Sequence, residues 1–488
     1  MEPTREFQRE LRRLDSTMIV IGSMIGSGIF IVSADIARTV GGPGWLLMSW
    51  VVAGVLTVIG ALSYGELAGM LPRAGGQYVY LREAYNPLVA FLYGWTLFTV
   101  IQTGTIAAVA MAFAKFTAVL VPALGEDVVL FDAGLFQVTA ARLVAIGSIV
   151  VLTAVNRRGL HGGRLLQNTF TLAKLAAVLG LVALGLTLAP RVPALAANLH
   201  DFWRAGQVHV SGGAVAFVPL AGLALWSALG ASLVGSLFAS VTWENITFTA
   251  GEVVEPRRTI PFSLGVGAGV VIAIYLLANV AYLRLLPVWG TPTAADVAGR
   301  GIQFATADRV GTAAATAMLG GPGAILMAVL VMVSTFGCNN GQILAGARVY
   351  YAMARDGLFF RRAGELNARG VPGGALVVQA VWAGLLCLSG TYGNLLDYVV
   401  FAVLIFYILT VAGLFVLRRT RPDAERPYRA FGYPVVPALY ILVAAAVAVN
   451  LLITRPTYTW PGLVIVLLGL PVYFLWTRFG RRGGRTAA

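Results

Sequence analysis

Long apolar stretches alternate with short polar or charged segments along the whole chain, and the length of the apolar stretches sets the fold class. Crossing a bilayer takes about 20 mostly apolar residues. Twelve such stretches occur, at residues 17–40, 44–70, 87–121, 139–155, 168–189, 214–250, 261–287, 322–352, 374–390, 394–417, 433–453 and 459–477. A helix satisfies its own N–H and C=O groups where water is absent, so each stretch predicts a membrane-spanning helix. The chain reads as an all-α integral membrane protein with 12 transmembrane helices. The first stretch follows a charged segment from Glu2 to Asp15 and has no small-residue cleavage site, so it is read as a retained span.

Two of these spans do not read as plain helices. Span 1 contains Gly22-Ser-Met-Ile-Gly26-Ser-Gly28 at mid-depth, and each glycine in a helix interior costs about 1 kcal/mol relative to alanine. Span 6 would be roughly 60 Å long as one helix, against a hydrocarbon core of about 30 Å. Its expected break is Phe238-Ala-Ser-Val-Thr-Trp-Glu244, where hydroxylated and β-branched residues and an acid interrupt the run. Span 3 is also overlong but shows no such interruption. Spans 1 and 6 each open a block of five, at residues 17–189 and 214–418, and an odd number of spans per block inverts the second block relative to the first. Paired interrupted spans in two halves point to a transporter's binding site. The remaining segments are an N-terminal stretch (1–16), a loop (190–213), a final helix pair (419–477) and a tail (478–488).

Unwound backbone at mid-membrane must line a cavity or be buried in protein. Gly26, Ser27 and Gly28 would then present N–H groups that favour an anion such as a carboxylate; alternatively Gly22-xxx-Gly26 lets two helices pack closely. Lys174, several residues into span 5, is a cation deep in the bilayer, which by default marks a functional site with a partner; the competing reading is a side chain that snorkels to the interface. Lys115, near the outer end of span 3, reads as such a snorkeller. Glu244 either receives an amine, carries a proton, or caps the second half of span 6. Ser334 and Thr335 in span 8 either donate into a cavity or bond their own helix. Glu66 and Asp397 sit near span ends and read as interfacial, and His161, His200 and His209 fall in loops.

Composition narrows the function. With 58% hydrophobic and 11% charged residues, the chain is neither a soluble enzyme nor disordered. The net charge of +14 comes almost wholly from arginine, since Lys115 and Lys174 are the only lysines. The arginines lie mainly between spans, as in Arg12-Arg13, Arg157-Arg158, Arg257-Arg258, Arg361-Arg362 and Arg418-Arg419. With the N-terminus inside, the inner segments carry roughly three times as many arginines as the outer ones, which places both termini in the cytoplasm of a cell-membrane protein and makes nucleic acid an unneeded partner. Neither lysine lies in a phosphate-cradling loop. Cys338 and Cys387 fall inside apolar stretches, which excludes a disulfide framework and a cysteine zinc site and leaves them as space-fillers. No cofactor and no metal is expected.

Several motifs together carry a family resemblance. Gly22–Phe30 (GSMIGSGIF), Gly41-Gly-Pro-Gly44, Tyr64-Gly-Glu-Leu67 and Pro72-Arg-Ala-Gly-Gly-Gln-Tyr78 resemble the first quarter of an amino acid permease of the amino acid-polyamine-organocation superfamily. Glu252–Pro261, Gly346–Gly357 and Leu417–Pro437 are similar to later landmarks, the last to the L-type branch. The resemblance implies a LeuT-type fold of two inverted five-helix repeats plus two helices, moving an amino acid by alternating access. It implies that the backbone at Ile25, Gly26, Ser27 and Gly28 holds the substrate carboxylate, and that carbonyls near Phe238, Ala239 and Ser240 take the amine. Phe238 would gate the pocket and Trp243 would help wall it. Lys174 would replace the sodium of coupled relatives, touching the carbonyls of Gly22 and Ile25 and the hydroxyl of Ser334 or Thr335. The chain departs from the L-type pattern at Ser240, Thr242 and Glu244, where a bulky residue, a glycine and an amide are usual. Residues 122–138 lack the cysteine that joins animal exchangers to a partner subunit, so no disulfide-linked subunit is expected.

The sequence therefore reads as a sodium-independent amino acid transporter working by proton symport or exchange, and not as an enzyme. A carrier of polyamines or basic amino acids, with Glu244 receiving a second ammonium, and a channel are the alternatives.

Overall fold

The computed structural model describes residues 9–132, 137–158, 163–188, 194–211, 214–389 and 392–483. His161, residues 1–8, part of the 190–213 loop and the end of the tail lie outside the described residues. Eleven helices among the described residues are long and apolar enough to cross a membrane. The ninth expected span corresponds to Gly373–Ser389, an apolar helix of 17 residues and shorter than those eleven.

Span 1 is two helices, Arg13–Met24 and Gly28–Ile31, followed by Ser33–Val40. Span 3 keeps its length without a break. It runs from Pro87 to Leu120, 34 residues, about 51 Å at 1.5 Å per residue, and widens into a π turn at Leu97–Ile101. The Thr103 hydroxyl donates to the Phe98 carbonyl at 2.6 Å, one residue further back than an α turn allows.

Span 6 corrects the sequence reading at its start. Its first residues, Ala214–Pro219, form a strand paired antiparallel with Gly206–Ser211, with Val208 opposite Phe217. The membrane helix begins only at Gly222 and runs to Ser240. Ala-Val-Ala-Phe-Val-Pro is β-prone and ends in a proline, so it leaves the helix although it continues the apolar run. His209 accordingly sits on a strand, and His200 ends a short helix, Ala194–His200.

The Gly41-Gly-Pro-Gly motif meets the segment before that hairpin. Gly42 N–H donates to Arg204 O and Gly44 N–H to Phe202 O, both at 2.8 Å, and Gly41 holds φ 87°. A Cβ on Gly42 would lie 2.8 Å from the Phe202 carbonyl oxygen, so only glycine fits.

The other landmark motifs interlock on the opposite, arginine-rich face. Glu66, expected at the interface, is fully buried. It accepts two bonds from Arg418, at 2.9 and 2.6 Å, and one from the Ala430 N–H at 2.7 Å, with Arg426 Nε 3.2 Å away. Burial of a carboxylate is tolerable only with such partners. Arg348 grips Glu252 through two nitrogens, at 2.6 and 3.0 Å. Asp356 pairs with Arg82 and accepts from the Tyr78 hydroxyl at 2.8 Å. The chain ahead of span 1 is stitched to the segment after span 6 by main-chain bonds: Glu10 and Leu11 N–H donate to Glu252 O, and Val254 N–H to Leu11 O, each at 2.9 Å.

Candidate functional site

Span 1 leaves the helix at Ile25 (φ −74°, ψ 91°) and resumes it at Gly28. Span 6 leaves it at Val241 (φ −76°, ψ 179°) and resumes it at Asn245. The two breaks touch. A Cβ on Gly28 would lie 2.5 Å from the Ala239 Cβ, so glycine is what lets the two main chains meet. Thr242, at the centre of the second break, holds φ 73°, a left-handed conformation that costs an L residue roughly 1–2 kcal/mol. Its hydroxyl donates to Ser23 O at 2.8 Å and ties one break to the other. The resemblance expected glycine here; the hydrogen bond offsets the strain of a β-branched substitute.

A broken helix orphans its last carbonyls, and in this protein side chains from four other spans take them up. Lys174 Nζ donates to Gly22 O at 2.6 Å and to Ile25 O at 3.1 Å. Ser23 O also accepts from the Cys338 thiol at 3.1 Å. The Tyr275 hydroxyl lies 2.8 Å from Met24 O and 3.1 Å from Ala239 O, spanning both breaks. The Ser334 hydroxyl lies 3.3 Å from both Ile25 O and Gly26 O. The donors of span 1 are left over: the N–H groups of Gly26, Ser27 and Gly28 have no acceptor among the described residues. The site therefore has its acceptors occupied and its donors available.

Two sequence readings change. Thr335 bonds the carbonyls of Val331 and Met332 in its own helix and does not reach Lys174. Cys338 is more than a space-filler, since its sulfur faces the break. Lys115 lies 5.9 Å from the centre of the Tyr392 ring. Lys174 itself is fully buried, which excludes snorkelling. Tyr275 and Tyr392 went unrecognised in the sequence. The available signal for Tyr275 was its place in the middle of span 7, far from the interface, where a hydroxyl needs a buried partner.

Around the breaks, the Ser27 hydroxyl lies 3.1 Å from the Tyr392 hydroxyl, and Phe238 packs edge-on against the same ring, centroids 6.1 Å apart. Trp243 is buried between Tyr64 and Tyr407, at 4.7 and 5.2 Å between ring centroids. Ser240 turns its hydroxyl back to Ser236 O at 2.7 Å. Behind it a cavity of about 20 Å³, bounded by Thr57, Ser240, Val241, Trp243, Tyr407 and Tyr440 among others, has room for about one water. Glu244 is 4% exposed, and its Oε2 has no hydrogen-bond partner among the described residues. Asp397, near the start of Tyr392–Thr420, faces Arg455 at 4.0 Å.

Comparison with known proteins finds relatives along almost the whole chain. The family profile described as amino acid permease matches residues 11–474. The human b(0,+)-type amino acid transporter 1 is 28% identical over 481 residues, covering 98% of this chain and 89% of the relative. The human large neutral amino acids transporter small subunit 2 is 29% identical over 469 residues, 96% of this chain and 80% of the relative. The human cystine/glutamate transporter is 27% identical over 471 residues, 96% and 85%.

Proposed function

The chain belongs to the amino acid permease family, and from that premise we propose that it carries an amino acid across the cytoplasmic membrane by alternating access, without sodium, in proton symport or exchange. It is a multi-pass membrane protein and an amino acid transporter; its relatives are transporters and not enzymes. Both termini lie in the cytoplasm in this reading, on the arginine-rich face. The two blocks that open with the broken spans form the inverted repeat.

One observation carries the reading: among the described residues the first break leaves N–H groups at Gly26, Ser27 and Gly28 without acceptors while its own carbonyls are occupied. Such a site suits a carboxylate. The amine faces the carbonyls near Phe238, Ala239 and Ser240, Phe238 closes over the substrate, and Trp243 walls the pocket. Glu244, at the same break, meets the amine or carries a proton. Lys174, on the carbonyls of Gly22 and Ile25 and with Ser334 sharing Ile25 O, stands where a sodium ion would bridge spans 1 and 8. A sodium ion needs several oxygen ligands, and Lys174 and Ser334 occupy the carbonyls that would supply them. Substrate bridging the two breaks stabilises an occluded form, and only its differential affinity for the open and occluded forms shifts their populations. The transporter works in this reading without a disulfide-linked subunit.

Counterflow in liposomes tests this. Vesicles loaded with an unlabelled amino acid should transiently accumulate the labelled one, with sodium and without. A channel gives no such overshoot, and a strict sodium requirement would refute the role given to Lys174.

A further inference from the structure

Outside the ligand-facing backbone, Glu244 is a buried acid with no ion-pair partner among the described residues. A buried charge without partners is strongly disfavoured. Glu244 belongs to none of the ion pairs among the described residues, and its Oε2 has no hydrogen-bond partner there. The titratable groups facing it are all tyrosines, Tyr64 of span 2, Tyr93 of span 3, Tyr407 of span 10 and Tyr440 of span 11. The hydroxyls of Tyr64, Tyr93 and Tyr407 are themselves buried without partners, and so are those of Tyr80 and Tyr350. These side chains are contiguous. Tyr64 and Tyr407 rings lie 5.7 Å apart and Tyr64 and Tyr80 rings 6.3 Å apart. Tyr80 belongs to the helix Gln77–Ala84, beside the Pro72–Gly76 loop, whose Gly75 N–H donates to Phe248 O at 3.2 Å. A row of unsatisfied hydroxyls therefore leads from Glu244 to the arginine-rich face, where buried polar groups of this kind ordinarily hold water.

We propose that Glu244 is the proton-carrying carboxyl of the transport cycle, loaded through the Tyr64–Tyr80–Tyr93–Tyr407 cluster from the arginine-rich face, and that Lys174 is a fixed structural cation. The carboxylate takes one proton from water, carries it as the neutral acid while buried, and returns that proton to water when the cycle exposes it. Geometry separates the two groups. Lys174 places its charge against the terminal carbonyls of Arg13–Met24, where the helix dipole holds it, whereas Glu244 has no opposite charge beside it among the described residues. This inference rests on the transport reading above.

Two measurements on the full chain test it. In liposomes, wild-type accumulation of a transported amino acid should rise up to about tenfold per unit of imposed pH gradient for one coupled proton, and in Glu244→Gln the accumulation ratio should fall to one. Independently, infrared spectra of the purified protein should show the carbonyl band of a protonated buried carboxyl at neutral pH, and the band should be missing in Glu244→Gln. Accumulation that still follows the gradient in the variant, or a wild-type band unchanged by the substitution, overturns the proposal. If the variant transports nothing, the infrared band decides. If the wild-type protein transports no amino acid, the family-based reading fails, and the band still reports on Glu244.

Discussion

Replacing Thr242 by alanine or by glycine should separate two opposing terms at the second break. Thr242 combines a left-handed backbone, φ 73°, with a 2.8 Å hydrogen bond to Ser23 O. Alanine removes the bond, worth about 1 kcal/mol net, and keeps the backbone penalty. Ser23 O retains the Cys338 thiol, so it is not left bare. Glycine removes the same bond but also releases about 1–2 kcal/mol of left-handed strain, offset by about 0.5–1 kcal/mol of extra backbone entropy in the unfolded chain. The expected order is wild type close to Thr242→Gly, with Thr242→Ala less stable by about 1 kcal/mol. Unfolding by titration with a denaturing detergent, followed by tryptophan fluorescence, measures it. Alanine proving equal to or more stable than glycine would refute the strain argument.

Lys174→Ala should abolish transport while the fold persists, because Ile25 O keeps Ser334 but Gly22 O loses its donor, a loss of about 1–3 kcal/mol; full uptake would remove Lys174 from the mechanism. Ser240→Tyr should place a bulky ring at the second break, where the family resemblance puts the substrate amine, and shift preference toward smaller amino acids in competition assays, and an unchanged profile would place residue 240 off the pocket. Glu83, outside the spans, has its carboxyl held below the usual range by its hydrogen bond from Arg421. Its contribution to stability is therefore present above about pH 4.3, the ordinary glutamate value, and is lost as pH falls through the lowered range. Glu83→Gln should flatten that part of the acid stability profile, and an identical acid limb would exclude the pair as a contributor.

The spans were legible because bilayer thickness imposes a length on apolar runs, and the first break because three glycines within seven residues have no reason to sit in a helix. Lys174 stood out since a cation in hydrocarbon demands a partner. What stayed hidden depended on neighbours distant in sequence. Ala214–Pro219 merges with the apolar run of span 6, so its pairing with Gly206–Ser211 leaves no mark in hydropathy. Glu66 lies close to a span end, which suggests exposure until Arg418 and Ala430 fold over it. Tyr275 reaches carbonyls 251 and 36 residues away, and no local pattern encodes that reach. Thr335 and Ser334 are adjacent, and only helix phase decides which hydroxyl faces the break.

The stitch between Glu10–Leu11 and Glu252–Val254 consists of peptide groups alone. Side-chain exchange at Glu10, Leu11 or Val254 leaves these bonds in place, whereas Glu252→Ala also strips Arg348 of its carboxylate. Proline at Leu11 or Val254, which lacks the donor, is the substitution that would unpick a thread. A motion that parts the arginine-rich face works against this backbone seam as well as against the ion pairs at Glu66, Glu252 and Asp356.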